Sequence, residues 1–242
     1  MRQARARNRD GTSGDGDRQS LALGAATLIA DRSGALYWPA ERTLIVADLH
    51  LEKGSAFARR GQMLPPYDTR ATLLRLSAVI ARFEPATVIA LGDSFHDIAG
   101  PDRLAADDVR LLVSLQSGRT WVWVAGNHDP VHDRRLGGEA AGKVEIAGLA
   151  LRHEPDAATG GPEIAGHLHP AARLVWNGGS VRTRCFASDA RRVVMPAFGA
   201  FAGGLNLVSE PFAALFQGRP ARVDMIGASG LYSVPPRALI GD

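Results

Sequence analysis

Short apolar runs that stop abruptly at a polar residue are the clearest pattern along the chain. Three of them are followed directly by a candidate metal ligand: residues 43–47 by Asp48, residues 87–91 by Gly92 and Asp93, and residues 120–125 by Gly126 and Asn127. Continuous apolar runs bounded by turn residues are typical of strands buried on both faces. Residues 67–82 and 102–116 lie between these runs and have apolar positions at helical spacing. Alternating strands and helices predict parallel pairing with right-handed crossovers, an α/β fold.

The pattern changes after about residue 143, where short apolar runs alternate with glycine turns and no long helix is indicated. Five runs predict a second sheet, which we expect to be antiparallel: residues 143–152, 163–165, 172–176, 181–187 and 191–195. The predicted architecture is therefore two facing sheets flanked by helices.

The first 20 residues have no hydrophobic period and are rich in Arg, Gly, Asp and Ser. We expect residues 1–20 to form a disordered, arginine-rich tail and residues 21–242 to form a single domain. The apolar run at residues 21–26 is too short and interrupted for a secretory signal or a membrane span. The single cysteine, Cys185, excludes an intrachain disulfide framework. We therefore expect a cytoplasmic protein without a membrane partner.

Charge alone does not identify a partner. The net charge of +3 is too small to predict nucleic-acid binding by itself. Only two of the 28 basic residues, Lys53 and Lys143, are lysines. Arginine binds phosphate bidentately, but a GC-rich genome would produce the same ratio.

Six of the seven histidines fall in five short blocks with Asp, Asn, Glu or another His. The blocks are Asp48-Leu49-His50, Asp93-Ser94-Phe95-His96, Asn127-His128-Asp129, His153-Glu154 and His167-Leu168-His169. Imidazole, carboxylate and amide ligands suit Mn²⁺, Fe²⁺ or Zn²⁺, and there are more ligands than one ion needs. Two ions sharing a carboxylate would use the whole set, an arrangement suited to phosphate-ester hydrolysis.

Each block has an ordinary structural explanation when it stands alone. Alternation along a strand would place Asp48 and His50 on one face, and His167 and His169 likewise. An aspartate after a strand is more often a turn former, and Asn127 suits a left-handed turn. The combination of five blocks in one order makes the metal interpretation strong.

This order resembles the calcineurin-like metallophosphoesterase superfamily, whose pattern is Asp-x-His, Gly-Asp, Gly-Asn-His-Asp, His and Gly-His-x-His. The resemblance implies a four-layer α-β-β-α sandwich of two mixed sheets flanked by helices. It implies one metal held by Asp48, His50, Asp93 and His169, and a second held by Asp93, Asn127, His153 and His167. It also implies that a hydroxide bridging the two metals attacks phosphorus in line with the leaving oxygen.

The resemblance also implies roles for three further residues. His128 would stabilise the transition state or protonate the leaving group, and Asp129 would orient it. His96 is similar to a histidine of the double-strand-break repair nucleases of this superfamily. An equally good interpretation is that His96 supports Asp93 from outside the metal site.

A narrower resemblance, to bacterial ligase-associated DNA-repair metallophosphoesterases, rests on residues 51–61, 64–69, 184–186 and 195–204. It implies a manganese-dependent phosphodiesterase or endonuclease acting on DNA, with a DNA ligase and a helicase as repair partners. Lys53, Arg59 and Arg60 follow the first block and are candidates to bind flanking phosphates, unless they form a solvated helix face. A small-molecule phosphodiesterase or nucleotide hydrolase and a non-catalytic repair scaffold are the alternative functions. The sequence leaves open whether the protein forms a homodimer.

Overall fold

The computed structural model describes residues 16–158 and 160–242, and its first sheet follows the order of the sequence. The seven strands of this sheet are β1 (Arg18–Leu23), β2 (Ala26–Asp31), β3 (Leu36–Trp38), β4 (Thr43–Val46), β5 (Thr87–Leu91), β6 (Thr120–Val124) and β7 (Glu139–Ala141). β1 to β4 pair antiparallel, whereas β4 to β7 pair parallel. The three predicted strands are therefore confirmed as the parallel neighbours β4, β5 and β6.

The second sheet has nine strands. They are β8 (Val144–Ile146), β9 (Leu149–Arg152), β10 (Glu163–Ala165), β11 (Pro170–Trp176), β12 (Gly179–Ser188), β13 (Arg192–Val194), β14 (Leu205–Asn206), β15 (Arg222–Gly227) and β16 (Gly230–Val234). The expectation of a fully antiparallel sheet is wrong, because β10 pairs parallel with both β9 and β13. Because β9 and β10 pair parallel, both strands end at the same edge of the sheet.

Helices cover the outer face of each sheet. They are α1 (Lys53–Ala58), α2 (Asp68–Phe83), α3 (Gly100–Arg103), α4 (Ala106–Gln116) and α5 (Glu210–Leu215), with 3₁₀ turns at Arg134–Leu136 and Pro236–Ala238. Apolar side chains of α2 and α4 pack on the first sheet, and those of α5 pack on the second. A third apolar cluster fills the space between the sheets. The four-layer α-β-β-α arrangement of two mixed sheets is thus confirmed.

Two predicted elements are interrupted. Residues 102–116 form two helices, because Leu104 and Ala105 have extended backbone between α3 and α4. Residues 143–152 form the hairpin β8–β9, because Ala147 and Gly148 both have positive φ and turn the chain. The helix expected at residues 67–82 is confirmed as α2.

The predicted boundary of the N-terminal tail is also wrong. β1 begins at Arg18 and pairs with β2, and the buried side chains of Leu21 and Leu23 hold it against the core. Residues 1–15 of the predicted tail lie outside the described residues. In the part of the chain that the structure describes, no helix is long and apolar enough to cross a membrane.

Candidate active site

All the predicted metal ligands come together where strands of both sheets end. Five of the seven have left-handed backbone: Asp48 (φ 54°), His50 (φ 43°), Asp93 (φ 46°), His167 (φ 66°) and His169 (φ 45°). The expectation that Asp-x-His and His-x-His alternate along strands is therefore wrong, because both pairs lie in the turns beyond β4 and β10. A non-glycine residue in this region costs about 1–3 kcal/mol, so the surrounding structure must hold it.

Hydrogen bonds between neighbouring turns hold this backbone in place. The His50 N–H donates to the Asp93 carbonyl at 2.9 Å, and the Asp48 N–H donates to the Gly92 carbonyl at 3.3 Å. From the other sheet, the His167 N–H donates to Oδ2 of Asp48 at 3.0 Å. The two sheets therefore meet directly at the ligands.

Asp48, His50 and His169 form the first ligand group. His50 Nε2 and His169 Nε2 lie 3.2 Å apart, and His169 Nε2 lies 3.3 Å from Oδ1 of Asp48. Burial, followed by the nearby His169, lowers the pKa of His50 to about 3. A neutral imidazole presents a lone pair, so three donor atoms converge on one point, as a cation requires.

Asp93, Asn127, His153 and His167 form the second ligand group. Asn127 Oδ1 lies 2.8 Å from His153 Nε2 and 3.0 Å from His167 Nδ1. His153 Nε2 also lies 3.4 Å from Oδ1 of Asp93. The His153 Nδ1–H donates to the Leu91 carbonyl at 3.0 Å, which directs Nε2 into the group.

Asp93 lies between the two groups. Its Oδ1 faces His153, and its Oδ2 lies 4.0 Å from His50 Nε2. Burial opposes ionisation of Asp93, but hydrogen bonds with His153 and from the His128 N–H lower its pKa to about 2. Burial also opposes ionisation of His153 and so lowers its pKa, but the carboxylates of Asp93 and Asp48 have the larger combined effect and raise it to about 9. A cation bound here would replace that proton as the partner of the carboxylates.

These seven residues, called the metal cradle below, fit two divalent cations. Each group offers imidazole nitrogens and a carboxylate whose donor atoms lie within 4.8 Å of one another. Glycines let the turns approach closely, because a Cβ on Gly126 would overlap the backbone nitrogen of Asp93. A Cβ on Gly199 would overlap the Leu49 carbonyl oxygen, between the ligands Asp48 and His50.

His128 stands at the rim of the cradle with its side chain 41% exposed. Its Nδ1–H donates to the His96 carbonyl at 2.9 Å, which leaves Nε2 facing Oδ2 of Asp93 at 3.9 Å. The predicted role of Asp129 in orienting His128 is wrong. Asp129 instead turns back toward the sheet, where its Oδ2 accepts the Phe95 N–H at 3.0 Å. Burial raises the pKa of Asp129 to about 6.

His96 lies beside His128, with ring centroids 5.4 Å apart and the planes inclined by 23°. Its ring also faces Phe57 at 5.5 Å. Within residues 16–158 and 160–242, no side-chain hydrogen bond or ion pair joins the His96 ring to Asp93. The His96 ring therefore does not support Asp93 through a hydrogen bond or an ion pair. A catalytic role for His96 stays a prediction.

A groove of about 750 Å³ leads away from Asn127 and His128. Six of the residues that line it are called the groove wall below: Phe57, Arg59, Arg60, His96, Ile98 and His128. Asp97 also lines the groove. Sequence reasoning missed Phe57 and Ile98, because an apolar residue has no functional signal until the fold places it beside a groove. Ile98 is 71% exposed.

The structure brings Arg59 and Arg60 to this groove, both of them exposed. Lys53, which was grouped with them, is placed differently. Its Nζ donates to the Phe201 carbonyl at 3.0 Å, and burial lowers its pKa. Lys53 therefore ties α1 to the neighbouring loop, and a contact between Lys53 and substrate phosphate stays a prediction. Cys185 is buried, and burial raises the pKa of its thiol, as expected for an inert residue.

Comparison with solved structures finds a crystal structure of the Pseudomonas putida nuclease MPE with a TM-score of 0.70 and 27% sequence identity. The match covers 90% of this chain and 100% of that one. The E. coli phosphoesterase Yfce matches at 14% identity over 80% of this chain and 98% of that one, with a TM-score of only 0.40. Comparison with curated proteins gives no significant match.

The family model for calcineurin-like phosphoesterases matches residues 41–172. That range is more than half of the chain and contains every residue of the metal cradle. The site is accordingly that of a hydrolase of phosphoester bonds, and the chain belongs to the calcineurin-like phosphoesterase family.

Proposed function

We propose that this protein is a two-metal phosphodiesterase that cleaves DNA as an endonuclease. The observation that carries the proposal is the groove beside the cradle, where exposed Arg59 and Arg60 flank the path away from Asn127 and His128. Arginines beside this path suit the phosphates next to the scissile one, because the planar guanidinium group matches the geometry of phosphate oxygens. The likeness to a nuclease over nearly the whole chain supports the same substrate class.

The proposed mechanism assigns separate tasks to the cradle and the wall. Asp48, His50, Asp93 and His169 would hold one cation, and Asp93, Asn127, His153 and His167 the other. When bound, the cations lower the pKa of the attacking water and neutralise the phosphate oxygens. His128 presents Nε2 toward the departing oxygen, and its Nδ1–H stays on the His96 carbonyl, so Nε2 is the atom that can transfer a proton.

A role in DNA repair, with Mn²⁺ as the metal and a ligase and helicase as partners, extends this proposal. It is supported by the narrower family resemblance of residues 51–61 and 195–204 rather than by the metal cradle. The cradle's mixed nitrogen and oxygen donors are equally compatible with Fe²⁺ or Zn²⁺, because availability often decides which of these metals is bound.

The deciding experiment offers three substrates to the wild type and to Asp93→Ala. They are bis-p-nitrophenyl phosphate, p-nitrophenyl phosphate and supercoiled plasmid, each with Mn²⁺ and with EDTA. We expect Mn²⁺-dependent cleavage of the diester and nicking of the plasmid, both lost in the variant and in EDTA.

The alternatives give different results. Diester cleavage with an intact plasmid and no affinity for DNA would refute the nuclease and favour a small-molecule phosphodiesterase. No hydrolysis with any of Mn²⁺, Fe²⁺ or Zn²⁺ would refute the enzyme and favour a non-catalytic scaffold. The intact set of seven ligands argues against the scaffold, because a recruiting surface has no need of them.

A further inference from the structure

Arg103, the last residue of α3, joins three segments that carry the site. Its Nε donates to Ser55 Oγ at 2.8 Å, and its Nη2 donates to the Glu52 carbonyl at 3.4 Å. Its Nη1 and Nη2 also donate to Oδ1 and Oδ2 of Asp97 at 2.8 Å and 3.0 Å. The side chain is only 15% exposed, so these bonds are largely shielded from water.

One end of this contact set is the start of α1. Glu52 is buried, has left-handed backbone (φ 62°) and follows the first ligand block by two residues. Its carboxylate accepts hydrogen bonds from Ser55 Oγ at 2.6 Å and from Thr69 Oγ1 at 2.9 Å. Arg103 holds Ser55 from the other side. The helix that presents Phe57, Arg59 and Arg60 to the groove is therefore anchored at its first turn.

The other end is the backbone next to His96. The His96 N–H donates to the Leu51 carbonyl at 2.9 Å, and the His96 carbonyl accepts the Nδ1–H of His128. Asp97 follows directly, and the paired hydrogen bonds from Arg103 fix its orientation. The position of residues 96 and 97 thus determines where the His128 ring lies.

We propose that Arg103 is a positioning residue, which sets the separation between the α1 side of the groove and the backbone that orients His128. The proposal rests on the proposed function, in which His128 protonates the leaving oxygen. The hydrogen bonds of Arg103 go to Glu52, Ser55 and Asp97 and to none of the seven residues of the cradle, so its loss should leave metal binding intact. It should instead impair the step that depends on the placement of His128.

The test measures hydrolysis of a series of aryl phosphodiesters whose leaving groups range from p-nitrophenol to phenol, together with nicking of plasmid. A good leaving group departs without a proton, whereas a poor one needs the acid. For Arg103→Met we expect kcat to fall about 10- to 100-fold for the phenyl ester and for DNA. Cleavage of the p-nitrophenyl ester and the metal content should stay close to wild type, so the rate should depend more steeply on leaving-group pKa.

Arg110→Met is the matched control, because Arg110 lies exposed on α4 and its side chain pairs with Asp107. It should keep the wild-type dependence on leaving group. Asp97→Asn preserves shape but weakens the paired contact, and it should steepen the dependence in the same direction even if Arg103→Met folds poorly. A wild-type dependence in both Arg103→Met and Asp97→Asn would overturn the proposal.

An equal loss for every ester, accompanied by loss of metal, would also overturn it, because Arg103 would then be a merely structural residue. The nuclease proposal fails separately. If wild-type protein cleaves the aryl esters but never DNA, the substrate class is wrong, and the aryl series still tests Arg103.

Discussion

The metal cradle and the groove wall lie side by side, and four of the seven cradle residues are buried, whereas none of the six wall residues is. In the cradle, Asp48 is fully buried and His153 is 4% exposed, on turns held by hydrogen bonds between the two sheets. On the wall, Ile98 is 71% exposed and Arg59 and Arg60 project from the end of a short helix. Holding a cation requires fixed and shielded donors, whereas a substrate that must enter and leave requires an open surface.

This difference predicts which variants affect every substrate and which affect only some. A change in the cradle should abolish hydrolysis of activated and unactivated esters alike, because the proposed mechanism requires the cations for every phosphoester. A change on the wall should depend on what the substrate requires from it, either a proton or a phosphate contact.

The largest effect is expected for Asp93→Ala, because Asp93 faces both ligand groups. Hydrolysis of every substrate should fall by at least about 100-fold, because the cations stabilise the charged transition state by several kcal/mol. Metal content measured by elemental analysis should fall with it. An Asp93→Ala protein that retained two metals and full activity would show that Asp93 does not join the groups.

His128→Ala should separate the wall from the cradle. Metal content should be unchanged, but DNA nicking should fall by about 10²- to 10⁴-fold, as expected for removal of a general acid. Bis-p-nitrophenyl phosphate, whose leaving group departs without a proton, should be affected far less. His132→Ala is the control, because His132 packs on Trp123 outside the groove wall. Equal losses on both substrates would contradict the assignment of His128.

Gly199→Ala tests how tightly the cradle is supported from behind. The added Cβ overlaps the Leu49 carbonyl oxygen, so the turn carrying Asp48 and His50 must shift. We expect the free energy of unfolding to fall by about 1–3 kcal/mol and metal affinity to fall by about 10- to 100-fold. Thermal denaturation and metal titration measure both. Gly203→Ala, whose Cβ meets nothing within 4 Å, should behave as wild type.

The smallest effect on chemistry is expected for the double variant Arg59→Ala and Arg60→Ala. Hydrolysis of bis-p-nitrophenyl phosphate should be unchanged, because that ester has no flanking phosphates. DNA binding should weaken, and its dependence on salt should become shallower by about one unit of log–log slope per lost phosphate contact. Replacing exposed Arg110 and Arg191 removes the same charge away from the groove. If that control pair weakens binding equally, Arg59 and Arg60 act only through net charge.

The ligands were predictable because their residue types and order carry information that needs no coordinates. Apolar runs that end at Asp48, Asp93 and Asn127 indicate parallel strands, and parallel strands bring their ends to one edge. The His-x-His block at residues 167–169 was identified by composition, although its backbone was not. Strand alternation was the wrong geometric reason for the right residues, because the left-handed turns result from hydrogen bonds to distant segments.

The roles of residues outside the cradle were harder to predict from the sequence. Asp129 follows His128 in the chain, which suggested that it orients the ring, yet its carboxylate bonds to Phe95 and the His96 carbonyl orients the ring instead. Adjacency in sequence does not determine the direction of a side chain at a tight turn. Arg103 had no signal at all, since its partners lie 6, 48 and 51 residues away.

The sequence by itself therefore determined the α/β class, the family resemblance and the choice of the seven candidate ligands. These depend on hydrophobic periodicity and on the chemistry of particular side chains, both of which are properties of the chain. Only the tertiary structure decided the left-handed turns that carry five of the candidate ligands, the carbonyl that directs His128 and the exposure of Ile98. Those features arise where segments far apart in sequence meet. A local sequence pattern carries no information about contacts that form only when the two sheets pack together.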